Sequence, residues 1–74
     1  MITYADVISV EDYTMLRNAV GWPEIGPEQA RAGLAGSAFL TVAKDGGRTV
    51  GMARLISDGG YHYMVADVVV LPRH

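Results

Sequence analysis

The sequence predicts an α+β domain, an antiparallel meander sheet accompanied by two N-terminal helices. Three observations predict it. Two helix-start signals stand in the front half, three β-branched and apolar runs follow residue 38, and an Asp-Gly-Gly turn separates each run from the next. No linker, internal repeat or low-complexity tract divides the chain, so residues 1–74 are read as a single domain.

Residues 2–7 form a short β-prone stretch, interrupted by Ala5 and Asp6. Ser9 then precedes Val10-Glu11-Asp12. A serine N-cap followed by acidic residues in the first turn predicts a helix starting near residue 10. Tyr13, Leu16 and Val20 fall on one apolar stripe, with Arg17 and Asn18 mostly off it, and Gly21 ends the helix. Residues 21–27 hold two glycines and two prolines, which excludes a helix interior and predicts an ordered loop. Pro27 suits the first position of a second helix that runs to Gly33 or Gly36, with Ala30 and Leu34 as its buried edge. From Ala38 the pattern becomes β. Residues 39–43 make one strand, Asp45-Gly46-Gly47-Arg48 turns, and residues 49–57 make the second strand of a hairpin. After Asp58-Gly59-Gly60 a third strand covers residues 61–71 and stops at Pro72. Phe39 and Ala43 face opposite to Leu40 and Val42, so both sheet faces call for cover, and two helices supply it for one.

Composition narrows the function classes. Half of the residues are apolar, which excludes a disordered chain. Six basic and eight acidic residues are dispersed along the chain, so there is no stripe for nucleic acid and no polybasic membrane patch. Cysteine is absent, which removes disulfides and thiolate metal sites and fits a reducing cytoplasm. No basic leader or membrane-length apolar run is present, and the chain is read as soluble and unprocessed. A chain this small, without disulfides or metal, is expected to gain stability from self-association or from a partner that covers its exposed apolar surface.

Several features have plain readings. Both Asp-Gly-Gly turns lead into strands, whereas a phosphate-cradling loop opens a helix, so they are hairpin turns. His62 and His74 have no companions at ligand spacing, so no metal is assigned. Arg54, on the second hairpin strand, is read as solvating the sheet edge, the alternative being that it meets an acidic acceptor.

The order of strand, helix, loop, helix and three meandering strands resembles the front half of the GNAT N-acetyltransferase fold. Gly46-Gly47-Arg48-Thr49-Val50-Gly51-Met52-Ala53-Arg54 is similar to that family's second hairpin, where a small residue permits close packing. Asp67-Val68-Val69-Val70-Leu71-Pro72-Arg73-His74 resembles its fourth strand, and Arg17-Asn18-Ala19-Val20-Gly21-Trp22 resembles the first-helix ending of small bacterial members. The fourth strand normally enters a Q/R-x-x-G-x-G/A loop for the pyrophosphate, so the resemblance implies a chain that stops before that loop and is inactive alone.

The resemblance further implies acetyl-coenzyme A as cosubstrate, with Val68, Val69 and Val70 beside its pantetheine arm, and an amine as acceptor. By the same resemblance Asp67 is the carboxylate available to orient or deprotonate the amine. Trp22, in the loop that contributes to the acceptor pocket, either lines that pocket or staples the loop to the sheet. Tyr61 and Tyr63 share a face with Val65 and Asp67 if no bulge intervenes, where they line an acceptor pocket or simply pack. The alternative reading is a non-catalytic fragment, either a homodimer formed through the exposed sheet edge or face or a module completed by another chain.

Overall fold

The computed structural model describes residues 1–72; Arg73 and His74, and with them the reading of His74 as a non-ligand, lie outside the described residues. Ser9 is extended, and its Oγ accepts the Asp12 N–H at 3.0 Å, which starts helix α1, Val10–Ala19. That bond satisfies one of the N–H groups left over at a helix start, and Glu11 and Asp12 meet the positive end of the helix dipole. The other end closes on Gly21, whose φ of 77° belongs to the left-handed region. There the Gly21 N–H donates to the Asn18 carbonyl at 3.1 Å and the Trp22 N–H to the Arg17 carbonyl at 3.0 Å. These are the paired bonds of a Schellman ending, and they set the direction in which residues 20–26 leave the helix.

Helix α2, Pro27–Ala35, begins on Gly26 with Pro27 in its first turn and ends at Gly36, whose N–H returns to the Ala32 carbonyl at 3.1 Å. Ala30 is buried and Leu34 packs at the margin of the core, as the sequence suggests.

Strands β1 (Ile2–Ala5), β2 (Phe39–Asp45), β3 (Arg48–Ser57) and β4 (Tyr63–Val70) form one sheet in sequence order, every neighbouring pair antiparallel. Gly46 and Gly47, with φ of 60° and 84°, make the two-residue turn between β2 and β3. Two positive φ values are what a type I′ turn requires, and its twist matches the flanking strands. The β3–β4 connection is longer than the sequence suggests, because β4 starts at Tyr63 rather than Tyr61. Asp58 is the cause: its Oδ1 accepts the Gly60 N–H at 2.7 Å, and its Oδ2 lies 3.1 Å from His62 Nδ1. This side-chain turn competes with the ladder for the backbone of residues 60–62.

The two helices pack on one sheet face. Tyr13, Leu16 and Ala30 meet Val42, Met52, Val69 and Leu71 there. Val20, expected on the buried stripe of α1, is instead its partly exposed C-cap residue. On the opposite face Tyr4, Val68 and Val70 stand around a floor of Ala43, Gly51 and Ala53. Val68 and Val70 are more than half exposed there, and no described helix covers them. The expectation that two helices cover one face only is met.

Candidate functional site

The site is assembled around a bulge in β4. Arg54 pairs with Asp67 and Leu55 with Val65, which leaves Ala66 without an opposite residue. An extra residue in one strand reverses the inside–outside alternation beyond it. Val65 is accordingly 60% exposed whereas Asp67 is 5% exposed. Tyr63 and Val65 therefore do not share a face with Asp67, and the conditional grouping of Tyr61 and Tyr63 with that carboxylate is corrected by the bulge.

Beyond the bulge the backbone of β4 has two sides. The Leu71 N–H donates to the Val50 carbonyl at 2.8 Å, so residues 71, 69 and 67 direct their N–H and C=O groups toward β3. Alternation turns the same groups of Val68 and Val70 to the outer side, where no described strand pairs with them. The three valines expected beside a cofactor thus divide. Val68 and Val70 offer backbone groups at the free edge and side chains on the uncovered face, while the Val69 side chain is buried in the core.

Asp67 sits under this edge in a polar cluster between sheet and helices. Its Oδ2 accepts the Tyr13 hydroxyl at 2.7 Å and Arg54 Nε at 2.6 Å. Arg54 Nη1 in turn donates to the Gly33 carbonyl at 2.8 Å and to Ser37 Oγ at 3.3 Å, which connects β4 to both helices. Reading Arg54 as a solvated edge residue is therefore corrected. β3 is an inner strand, and the guanidinium turns inward because a buried carboxylate and an open helix carbonyl await it. Arg17 departs from expectation in the same way: its side chain is only 15% exposed, with Nη1 3.7 Å from Asp67 Oδ1. Its Nη2 donates to the Pro23 carbonyl at 2.9 Å, and its guanidinium lies 5.3 Å from the centre of the Trp22 ring.

Burial raises the pKa of Tyr13, and the adjacent Asp67, as hydrogen-bond acceptor and as negative charge, raises it further. The phenol is held protonated and donating. Asp58, in the exposed β3–β4 turn, has its pKa lowered by the Gly60 N–H and by His62.

Trp22 is fixed by the Schellman ending and by Arg17, against the margin of the core. Tyr63 lies at the exposed start of β4, and Tyr61 is exposed in the connection before it. Tyr63 walls a shallow cleft with Ser57, Asp58, His62 and Met64 that does not include Trp22. Among the described residues no three His, Asp or Glu side chains gather as a metal site. Sequence reasoning missed Tyr13, Arg17 and Arg54 as partners of Asp67. The i, i+4 spacing of Tyr13 and Arg17, which puts both on one side of α1, was the signal available for two of them.

No protein-family model matches the chain, and no curated protein does. Solved structures do. A protein of meticillin-resistant Staphylococcus aureus, described as a probable acetyltransferase, is 32% identical with a TM-score of 0.89 over 99% of this chain. A GNAT-family acetyltransferase of Streptococcus pneumoniae is 34% identical with a TM-score of 0.79 over all of it. A GNAT-family protein of Xanthomonas campestris, described only as a possible acetyltransferase, is 23% identical with a TM-score of 0.79 and supports the fold alone. The chain spans 56%, 54% and 55% of these three proteins, about half of each. With this strand order, the two helices on one face and this similarity along its whole length, the chain belongs to the GNAT family of acetyltransferases.

Proposed function

We propose that this chain supplies the acetyl-coenzyme A wall of an N-acetyltransferase that moves an acetyl group to a primary amine. The observation that carries the reading is the outward pair of backbone groups at Val68 and Val70, beyond the Ala66 bulge, on an edge flanked by apolar side chains. The pantetheine arm carries amides, and an extended amide chain adds to a free strand edge as another strand does. In the reaction the amine nitrogen attacks the thioester carbonyl, a C–N bond forms and the C–S bond breaks. The amine loses a proton and the departing thiolate gains one. Asp67 enters this reading as an orienting group, because its Oδ2 already holds two short donors. Of the three acceptor-side residues, Trp22 has the best support, being held in the loop by Arg17 and the helix ending.

Titration calorimetry with coenzyme A tests the reading. The chain is expected to give saturable heat, and Val68→Pro to weaken binding about fivefold to tenfold, the loss of one hydrogen bond. Proline at an outward N–H removes no ladder bond, so the far-UV circular dichroism is expected to stay unchanged. Equal binding by the two proteins, or no saturable heat from either, sinks the reading.

A second reading, self-association of the chain, is favoured by the uncovered apolar face and the free edge beside it.

A further inference from the structure

Among the polar groups around Asp67, one joint is loose. Tyr13 and Arg54 contact Oδ2 at 2.7 and 2.6 Å, whereas Arg17 stands 3.7 Å from Oδ1, beyond hydrogen-bond length. Arg17 Nε is also buried without a hydrogen-bond partner. A guanidinium with an unused buried donor beside a carboxylate has a second arrangement within reach, in which it closes to the roughly 2.8 Å typical of a charge-assisted bond. The other end of Arg17 is not free. Its Nη2 holds the Pro23 carbonyl at 2.9 Å, its backbone carbonyl holds the Trp22 N–H at 3.0 Å, and its charge lies over the Trp22 ring. Any movement of the guanidinium toward Asp67 therefore draws on the loop of residues 20–26. Asp67 directly precedes Val68, whose outward backbone groups form the free edge.

We propose that Asp67 and Arg17 are positioning residues that couple occupation of the β4 edge at Val68 and Val70 to the placement of Trp22 and Pro23. The inference rests on the cofactor reading given above. A ligand amide seated on the edge fixes the backbone next to Asp67, and that fixes where Oδ1 presents itself to Arg17. Arg17 stands 3.7 Å from the carboxylate, and the closed arrangement is the second state that the proposed coupling requires. The loop and the edge lie on different elements, and Arg17 is the side chain that touches the loop and faces the carboxylate.

The chain contains one tryptophan, so its fluorescence reports on residue 22 alone. Coenzyme A is titrated into the 74-residue chain while heat and tryptophan emission are recorded. The emission is expected to shift along the same saturation curve as the heat. In Arg17→Met, which keeps the apolar stem, the heat is expected to persist with Kd within about threefold while the emission response falls at least fivefold; Arg17→Lys is expected to restore part of it. Heat without any emission change in the unmodified chain overturns the coupling and leaves the cofactor reading standing. An emission change of full size in Arg17→Met shows direct contact between ligand and tryptophan and also overturns it. Absence of heat in the unmodified chain overturns the cofactor reading and this inference with it. The first two of these outcomes require nothing of the lysine variant, and the measurements on the unmodified chain do not depend on either substitution folding.

Discussion

A buried carboxylate is costly unless donors surround it, and Asp67 has Tyr13 and Arg54 at hydrogen-bond distance with Arg17 nearby. Tyr13 makes a contribution that depends on pH. Its pKa is raised above the ordinary 10.0 by burial and then by Asp67, so the folded state holds the phenolic proton more tightly than the unfolded chain. Stability from this proton is fully present below pH 10 and is lost as pH rises through the folded value. Tyr13→Phe is expected to cost about 1.5–3 kcal/mol at neutral pH, the worth of a hydrogen bond to a charged group. It is also expected to flatten the fall in urea midpoint above pH 10. Parallel curves for the two proteins across that alkaline range contradict the assignment.

The strands carry a constraint that belongs to the element and not to a single contact. Gly51 lies between Ala43 and Val70 on neighbouring strands, and a Cβ there stands 3.0 Å from the Val69 carbonyl oxygen and 3.5 Å from Val70 Cα. Both are backbone atoms of a paired strand and yield little. The small residue suggested by the hairpin's family resemblance thus has a physical reason in this chain. Gly51→Ala is expected to destabilise by about 1–3 kcal/mol, as overpacking does, and to shift β4 near its free edge. Amide chemical shifts unchanged at Val69 and Val70, with an unchanged thermal midpoint, count against it. Helix α1 shows how far local signals reach: Ser9, Glu11, Asp12 and Gly21 fix both ends through contacts within five residues. The same is true of the Gly46-Gly47 turn. β4 starts two residues later than the strand pattern suggests, because the Asp58 side chain takes up the backbone that the pattern assigns to the ladder.

For the whole molecule the imbalance between sheet faces dominates. One face is covered by α1 and α2, and the other presents Tyr4, Val68 and Val70 around a floor of small residues. Apolar surface beside a free strand edge promotes association. The purified chain is expected to be dimeric at micromolar concentration by multi-angle light scattering. A single monomer mass at tens of micromolar removes self-association as a reading.

Element types, their order, the α+β class and the resemblance to the acetyltransferase fold were determined by the sequence alone. They rest on periodicity, caps and turns, which act between residues close in the chain. Only the tertiary structure decided that Arg54 and Arg17 turn inward, that Asp67 is buried while Val65 is exposed, and that Val68 and Val70 present the free edge. The Tyr13–Asp67 bond spans 54 positions, and its existence depends on a one-residue bulge at Ala66 that reverses every side chain after it. Register between distant strands is set by the summed packing of sheet against helices, and no single residue in the chain spells that sum out.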